Sequence, residues 1–185
     1  MMGDRLPVYL DRDGVINANR ADYVRSLSQW EPIQGSLEAV ARLSSSGHPV
    51  IILTNQSAIA RGYCTEDDVR KIHARMKQMV EECGGAITGM YYCPHHPDDG
   101  CSCRKPATGM IELARMEHGL GVGGWMVGDA ASDMEMGLKA GLSTILVLTG
   151  RGTVQLEEIR KSGMPEPDYI AADLAEASLI ILHPL

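Results

Sequence analysis

Phenylalanine is absent from the 185 residues, and tryptophan occurs twice. A core built without them must be filled by aliphatic side chains and by the 11 methionines, whose flexible thioethers adapt to irregular gaps. Long apolar runs are also missing. No stretch approaches the roughly 20 residues that a membrane helix needs, so no membrane partner is expected. The N-terminus reaches Asp4 and Arg5 before any apolar run, which argues against a secretory leader and for a cytoplasmic location. Positive charge is in deficit, with 17 Lys+Arg against 24 Asp+Glu and a formal net charge of −7. This disfavours nucleic acid as the main partner, while a local basic pocket can still hold a phosphate. Cysteine is scarce and unevenly placed. Cys64 and Cys83 stand apart as ordinary thiols, whereas Cys93, Cys101 and Cys103 crowd into eleven positions, unlike a general disulfide framework.

What is present reads as one domain over residues 1–185. Short apolar segments alternate with helical ones. Pro7–Leu10 is a β-prone run that stops at Asp11, and Pro49–Leu53 is continuously apolar, as suits a strand covered on both faces. Further strands are expected over 87–93, 125–127, 143–148 and 169–170. Helices are expected over 35–46, 66–83, 109–117, 132–140, 153–161 and 173–180, with capping boxes at Thr65/Asp68 and Ser132/Glu135. Residues 14–34 and the Pro/Gly/Cys-rich stretch 94–106 read as loops. This alternation predicts a three-layer α/β/α, doubly wound fold with a mainly parallel sheet and no large cap domain.

In such a sheet, ligands bind beyond the carboxyl ends of the strands, near the switch in strand order. Asp11 and Asp13 follow the first strand, Thr54 and Asn55 the second, and Asp129 the fourth. Carboxylates gathered there would need a cation, and hard oxygen ligands suit Mg²⁺. Lys105 could offset the charge of a bound phosphoryl group. Taken singly, each residue has a plainer account. Asp-x-Asp can be a solvated turn, Asp129 a helix cap, Thr54 a loop hydrogen bond and Lys105 a surface cation. The argument rests on their joint placement at successive strand ends. In the 94–106 loop, Cys93-x-His95 and Cys101-x-Cys103 present three thiols and an imidazole, a set suited to tetrahedral Zn²⁺. A disulfide with one free cysteine is the alternative, which a cytoplasmic setting disfavours. His96 competes with His95 for the fourth position.

Four ordered segments carry a resemblance: DRDGVIN at 11–17, TNQSAIARG at 54–62, CRKP at 103–106 and VGDAASDM at 127–134. Together they resemble the haloacid-dehalogenase-like phosphatases, in the branch that contains the heptose-bisphosphate and histidinol-phosphate phosphatases, over nearly the whole chain. The resemblance implies a Rossmann-like fold in which Asp11 attacks phosphorus and Asp13 is general acid and then base. Thr54 and Asn55 would contact the phosphate, and Lys105 would stabilise the transferring group. Mg²⁺ would be held by Asp11, Asp129 and the backbone carbonyl of Asp13. Structural Zn²⁺ would be held by Cys93, His95, Cys101 and Cys103 in a loop spanning 93–103. Asp133 would support this network or cap a helix. Asn17, Gln56, Ser57, Arg61 and Arg104 would bind the rest of the substrate, with the arginines on a second phosphate.

The 54–62 segment is more similar to the heptose enzymes, although Ala58 stands where they usually have Gly. The short interval between His95 and Cys101 is more similar to the histidinol-phosphate type. The implied reaction is loss of the 7-phosphate from D-glycero-D-manno-heptose 1,7-bisphosphate, as its β anomer, on the route to ADP-heptose and the lipopolysaccharide core. The expected enzyme is a monomer acting on a phosphorylated sugar. Histidinol-phosphate hydrolysis is the alternative chemistry, and a zinc-stabilised binding domain without activity is the third reading.

Overall fold

In the computed structural model, which describes residues 5–184, Val50–Leu53 is wholly shielded from solvent. The reading of the N-terminus at residues 1–4 lies outside the described residues. Burying a Val, Leu or Ile contributes about 1.5–3 kcal/mol, so a run of four is best used inside a sheet. It forms most of β2 (Val50–Asn55), which lies between β1 (Val8–Leu10) and β3 (Gly89–Cys93). Beyond β1 lie β4 (Trp125–Gly128), β5 (Ser143–Val147) and β6 (Tyr169–Ala171). The order is β3-β2-β1-β4-β5-β6, and every pairing is parallel.

Parallel neighbours require crossovers, and six helices supply them: α1 (Ser36–Ser45), α2 (Glu66–Glu82), α3 (Gly109–His118), α4 (Ala131–Lys139), α5 (Gly152–Ser162) and α6 (Leu174–Leu182). Alternate strand residues face opposite ways. Val8, Leu10, Val50 and Ile52 pack with Val40, Ile72, Met76 and Ile181 from α1, α2 and α6. Tyr9, Ile51, Leu53 and Met126 pack with Met110, Ile111 and Met136 from α3 and α4. Met134, Leu146 and Ile159 extend the second layer beneath α5. The methionines thus enter the core as the lack of phenylalanine requires.

The expected elements all occur, with boundaries shifted by a few residues. One start signal was misassigned. The Ser132/Glu135 capping box does not form; α4 begins at Ala131, and the Asp133 carboxylate accepts the Ala130 N–H at 3.1 Å. The Thr65/Asp68 box does form, with Asp68 N–H donating to Thr65 Oγ1 at 3.1 Å and Thr65 N–H to Asp68 Oδ2 at 2.9 Å. Among the described residues, no helix is long and apolar enough to cross a membrane.

This topology also positions the site. The chain steps from β1 to β2 to β3, then returns across β1 to begin β4. A crevice opens beyond the carboxyl ends of β1 and β4, where the crossovers diverge.

Candidate active site and thiolate cluster

Asp11 leaves the end of β1 with its N–H still bonded to Val127 O on β4 at 2.9 Å, so the sheet ladder itself aims its side chain. Lys105 arrives from the β3–α3 loop, and its Nζ donates to Asp11 Oδ1 at 2.7 Å and to Leu53 O at 3.0 Å. It also lies 2.7 Å from Asp133 Oδ1. These three side chains are almost fully buried. Asp129 is buried at the end of β4, and one oxygen from each of Asp11, Asp129 and Asp133 lies within 4.8 Å of the others.

Three buried carboxylates against one ammonium leave two negative charges, a balance that suits a divalent cation. The imbalance is felt in their protonation. Burial, opposed by Lys105 but reinforced by Asp133, Asp129 and Asp13, pushes the Asp11 carboxyl up to about 8. Burial and Asp133 raise Asp129 as well. Asp129 Oδ1 is buried with no hydrogen-bond partner, and the nearby Arg151 guanidinium, at 3.7 Å, is more than half exposed. A metal would satisfy that oxygen and restore the charged carboxylates, so the residues fit Mg²⁺.

Backbone approach here depends on glycine. Gly14 has φ +92°, and a Cβ on it would lie 2.1 Å from Asp129 Oδ2. Gly150 has φ +58°, and its Cβ would meet the same oxygen at 2.3 Å. The 13–14 peptide therefore runs directly beside Asp129.

Asp13 sits differently. Arg12 NH2 donates to its two oxygens at 3.0 and 2.8 Å, Asn17 Nδ2 to Oδ1 at 2.8 Å and Gln56 Nε2 to Oδ2 at 2.8 Å. Burial opposes its charge, but these donors, Arg12 foremost, hold its carboxyl below the ordinary carboxylate value. Arg12 is completely buried, and its NH1 lies 3.4 Å from His73 Nε2. A guanidinium has only donors, so His73 accepts with a bare Nε2. Burial and the neighbouring Arg12 push its pKa down to about 3, which keeps the imidazole neutral.

A cleft of about 460 Å³ opens above these groups. Asp11, Asp13, Thr54, Asn55, Gln56, Ser57, Arg61, Arg104 and Lys105 line it as expected. Asn17 does not. It is fully buried, and its amide is committed to Asp13 and Ala18 O, so its expected role on the substrate gives way to support of the Asp13 loop. Two lining residues are similarly engaged from within. Asn55 brackets the Lys105 peptide, donating to its O at 3.3 Å and accepting its N–H at 3.1 Å. Gln56 donates to both Asp13 and Thr54 Oγ1.

Arg20, Tyr23, Ser132 and Arg151 also face the cleft. Arg20, Tyr23 and Arg151 sit in stretches with no motif of their own, whereas Ser132 lies in the VGDAASDM segment and was read there only as a capping residue. Asp133 was more accessible, because Asp129 and Asp133 are four apart at the start of a helix. With Arg20, Arg61, Arg104 and Arg151 around it, the cleft is locally basic in a chain of net charge −7.

The thiolate cluster lies in the β3–α3 loop. Cys93 Sγ is 3.6 Å from His95 Nδ1 and 3.5 Å from Cys101 Sγ; Cys103 Sγ is 3.2 Å from His95 Nδ1 and 3.5 Å from Cys101 Sγ. Sulfurs that far apart are not bonded, and all five cysteines are free thiols. A zinc tetrahedron with bonds of about 2.0–2.3 Å has edges of about 3.5–3.8 Å; three of these separations lie at 3.5–3.6 Å and the His95–Cys103 one is shorter, at 3.2 Å, so the four atoms are gathered closely enough for one ion to join them. His96 is occupied elsewhere, accepting the Asp98 N–H and lying 3.2 Å from its carboxylate. The cluster is tied to the site through Gln56 N–H, which donates to Cys93 O at 2.8 Å, and through the adjacent Arg104-Lys105.

Residues 102–177 match the model of the HAD-hydrolase-like family. The chain is 45% identical to D-glycero-beta-D-manno-heptose-1,7-bisphosphate 7-phosphatase of Pseudomonas putida, covering 90% of this chain and 93% of that one. It is 43% identical to the Pseudomonas aeruginosa protein of the same name, covering 94% and 96%. Its fold matches the crystal structure of D,D-heptose 1,7-bisphosphate phosphatase from B. bronchiseptica, complexed with magnesium and phosphate. That match has TM-score 0.89 and 35% identity, and it covers 97% of this chain and 100% of that one.

Proposed function

Since the chain belongs to the D-glycero-β-D-manno-heptose-1,7-bisphosphate 7-phosphatase family of HAD-like hydrolases, we propose that it removes the 7-phosphate of that sugar by covalent catalysis at Asp11. It is a phosphoric monoester hydrolase of heptose biosynthesis. The observation that carries the mechanism is Asp11 held by a buried lysine beside the unpartnered oxygen of Asp129, at the floor of an arginine-lined cleft.

In this reading Asp11 attacks phosphorus. A bond from its carboxylate oxygen forms as the bond to the sugar oxygen breaks, giving an aspartyl-phosphate. Asp13 passes a proton to the departing alkoxide. An arriving phosphate raises the cost of charge on Asp13 and so draws onto it the proton it must give. Asp13 then takes a proton from water as the water attacks phosphorus, releasing inorganic phosphate and regenerating Asp11. Lys105 and Thr54 hold the phosphoryl oxygens. Lys105 also screens repulsion between the anionic nucleophile and the anionic ester.

Asp11, Asp129 and the Asp13 carbonyl would hold Mg²⁺, which when bound supplies charge neutralisation and alignment of the phosphate. Cys93, His95, Cys101 and Cys103 would hold Zn²⁺ in a closed set that stiffens the 93–103 loop. Arg61 and Arg104 would bind the phosphate that stays on C1, with Ser57 on the sugar, while Asn55 and Gln56 serve by orienting Lys105 and Asp13. The enzyme would work as a single domain and, as in the expectation from the resemblance, as a monomer. Free thiols suit a cytoplasmic setting.

The reading is tested by phosphate release with Mg²⁺ from heptose 1,7-bisphosphate and from histidinol phosphate in parallel. Higher kcat/KM on the bisphosphate is expected, by at least about 100-fold. Greater efficiency on histidinol phosphate would overturn the substrate, and no release from either would overturn the reaction.

A further inference from the structure

Arg12 is among the largest fully buried side chains of the described residues, yet it belongs to no step of the reaction. Its NH2 and Nε reach the Asp13 carboxylate at 2.8–3.3 Å, and NH1 points the other way, 3.4 Å from His73 Nε2. His73 lies on α2, far from Asp11 in sequence, and is buried itself. Its ring meets the edge of Tyr92 with centroids 5.9 Å apart, and Tyr92 OH donates to Glu66 Oε2 at 3.2 Å. A long guanidinium needs a stop behind it to keep its fork on a carboxylate, and His73 provides one: a lone pair at a fixed place on a rigid helix.

We propose that His73 is a positioning residue for proton transfer, acting through Arg12 to hold Asp13 where it can reach the leaving group. The inference rests on the phosphatase reading and on Asp13 as proton donor within it. His73 touches no reacting atom. It fixes the rotamer of Arg12, and Arg12 fixes that of Asp13 together with Asn17 and Gln56. Such support matters most when the leaving oxygen needs a proton. The sugar alkoxide needs one, whereas p-nitrophenolate leaves unaided, so the two esters separate positioning of the acid from general damage.

The experiment compares kcat/KM on heptose 1,7-bisphosphate and on p-nitrophenyl phosphate, because kcat/KM reports the step in which the leaving group departs. His73→Leu keeps the bulk and removes the acceptor. It should lose about 20-fold on the sugar phosphate and about 2-fold on the aryl phosphate. His73→Gln restores an acceptor at similar reach and should recover most of the sugar-phosphate activity. Arg12→Lys keeps the charge without the fork; it should show the same selective loss and covers the case in which the leucine variant does not fold. Equal losses on the two esters, or a glutamine variant no better than leucine, would overturn the proposal. A wild-type enzyme that releases no phosphate from either ester would instead overturn the phosphatase reading itself.

Discussion

Two clusters among the described residues could hold a metal, and they are built in opposite ways. Cys93, His95, Cys101 and Cys103 come from one short stretch, range from buried Cys93 to exposed His95, and meet because a turn at Pro97–Asp99 folds the loop on itself. Asp11, Asp129 and Asp133, with Lys105, come from the ends of β1 and β4, the start of α4 and the β3–α3 loop, and all are buried. Filled by zinc as proposed, the first cluster would organise its own loop and leave no ligand position for chemistry. The second is organised by the sheet, and its charge imbalance and unpartnered oxygen leave it ready for a cation and an anionic substrate. The two are joined by the dipeptide Arg104-Lys105, which follows the last thiolate and delivers the buried lysine. In the proposed reading, zinc in the loop would therefore help to place the lysine without taking part in the reaction.

That contrast can be broken from the carboxylate side. Asp11→Asn removes the nucleophile and one negative charge, so phosphate release should fall by at least about 10³-fold. The fold should survive, because the ladder bond from residue 11 to Val127 is made by backbone. A circular dichroism melt alongside the assay separates loss of chemistry from loss of structure, and near-normal turnover would remove Asp11 from the central role.

From the thiolate side the effect should be smaller and indirect. Cys101→Ser should lower zinc stoichiometry, measured by elemental analysis, and reduce turnover by about 10-fold as the loop loosens around Lys105. Unchanged stoichiometry would exclude Cys101 as a ligand. Lost zinc with full activity would show that Asn55, which brackets Lys105, holds the lysine without help.

The smallest effect is on stability rather than turnover, and it comes from His73, which supports Asp13 and belongs to neither cluster. Its pKa is about 3 in the folded protein against 6.5 ordinarily. Between those values the unfolded chain binds the extra proton, so its contribution to stability is complete above pH 6.5 and is lost as pH falls toward 3. The loss approaches about 1.4 kcal/mol per pH unit, or roughly 3–5 °C in Tm. His73→Leu should flatten the Tm profile over this range relative to wild type. Parallel profiles would show that His73 is not held neutral.

Much of the chemistry was legible without coordinates, for identifiable reasons. The continuously apolar Val50–Leu53 demanded a covered parallel strand, and strand-end carboxylates demanded a cation. Three thiols and an imidazole within eleven residues are close enough in sequence to meet through a loop. The departures are equally specific. Ser132 and Glu135 were plausible capping residues by spacing, but the end of β4 and the first turn of α4 place Asp133 over the Ala130 amide. Asn17 had the right polarity for a substrate contact, but the β1–α1 loop turns it inward to Asp13. No pattern marked Gly150 or His73, and the DRDGVIN segment that contains Arg12 and Gly14 gave neither a role, because each of these matters through a side chain brought up by the fold or through a backbone angle.

The order and types of residues were enough to specify the alternation of strands and helices, the grouping of three thiols and an imidazole in one loop and the polar residues at the strand ends, since those follow from local periodicity and side-chain chemistry. Which carboxylates gather at the lysine, which is clasped by an arginine, and which polar residues face the cleft followed only from packing. Those choices depend on where crossovers bring distant segments together, and on burial, which turns a charge that water would tolerate into one that must find a partner.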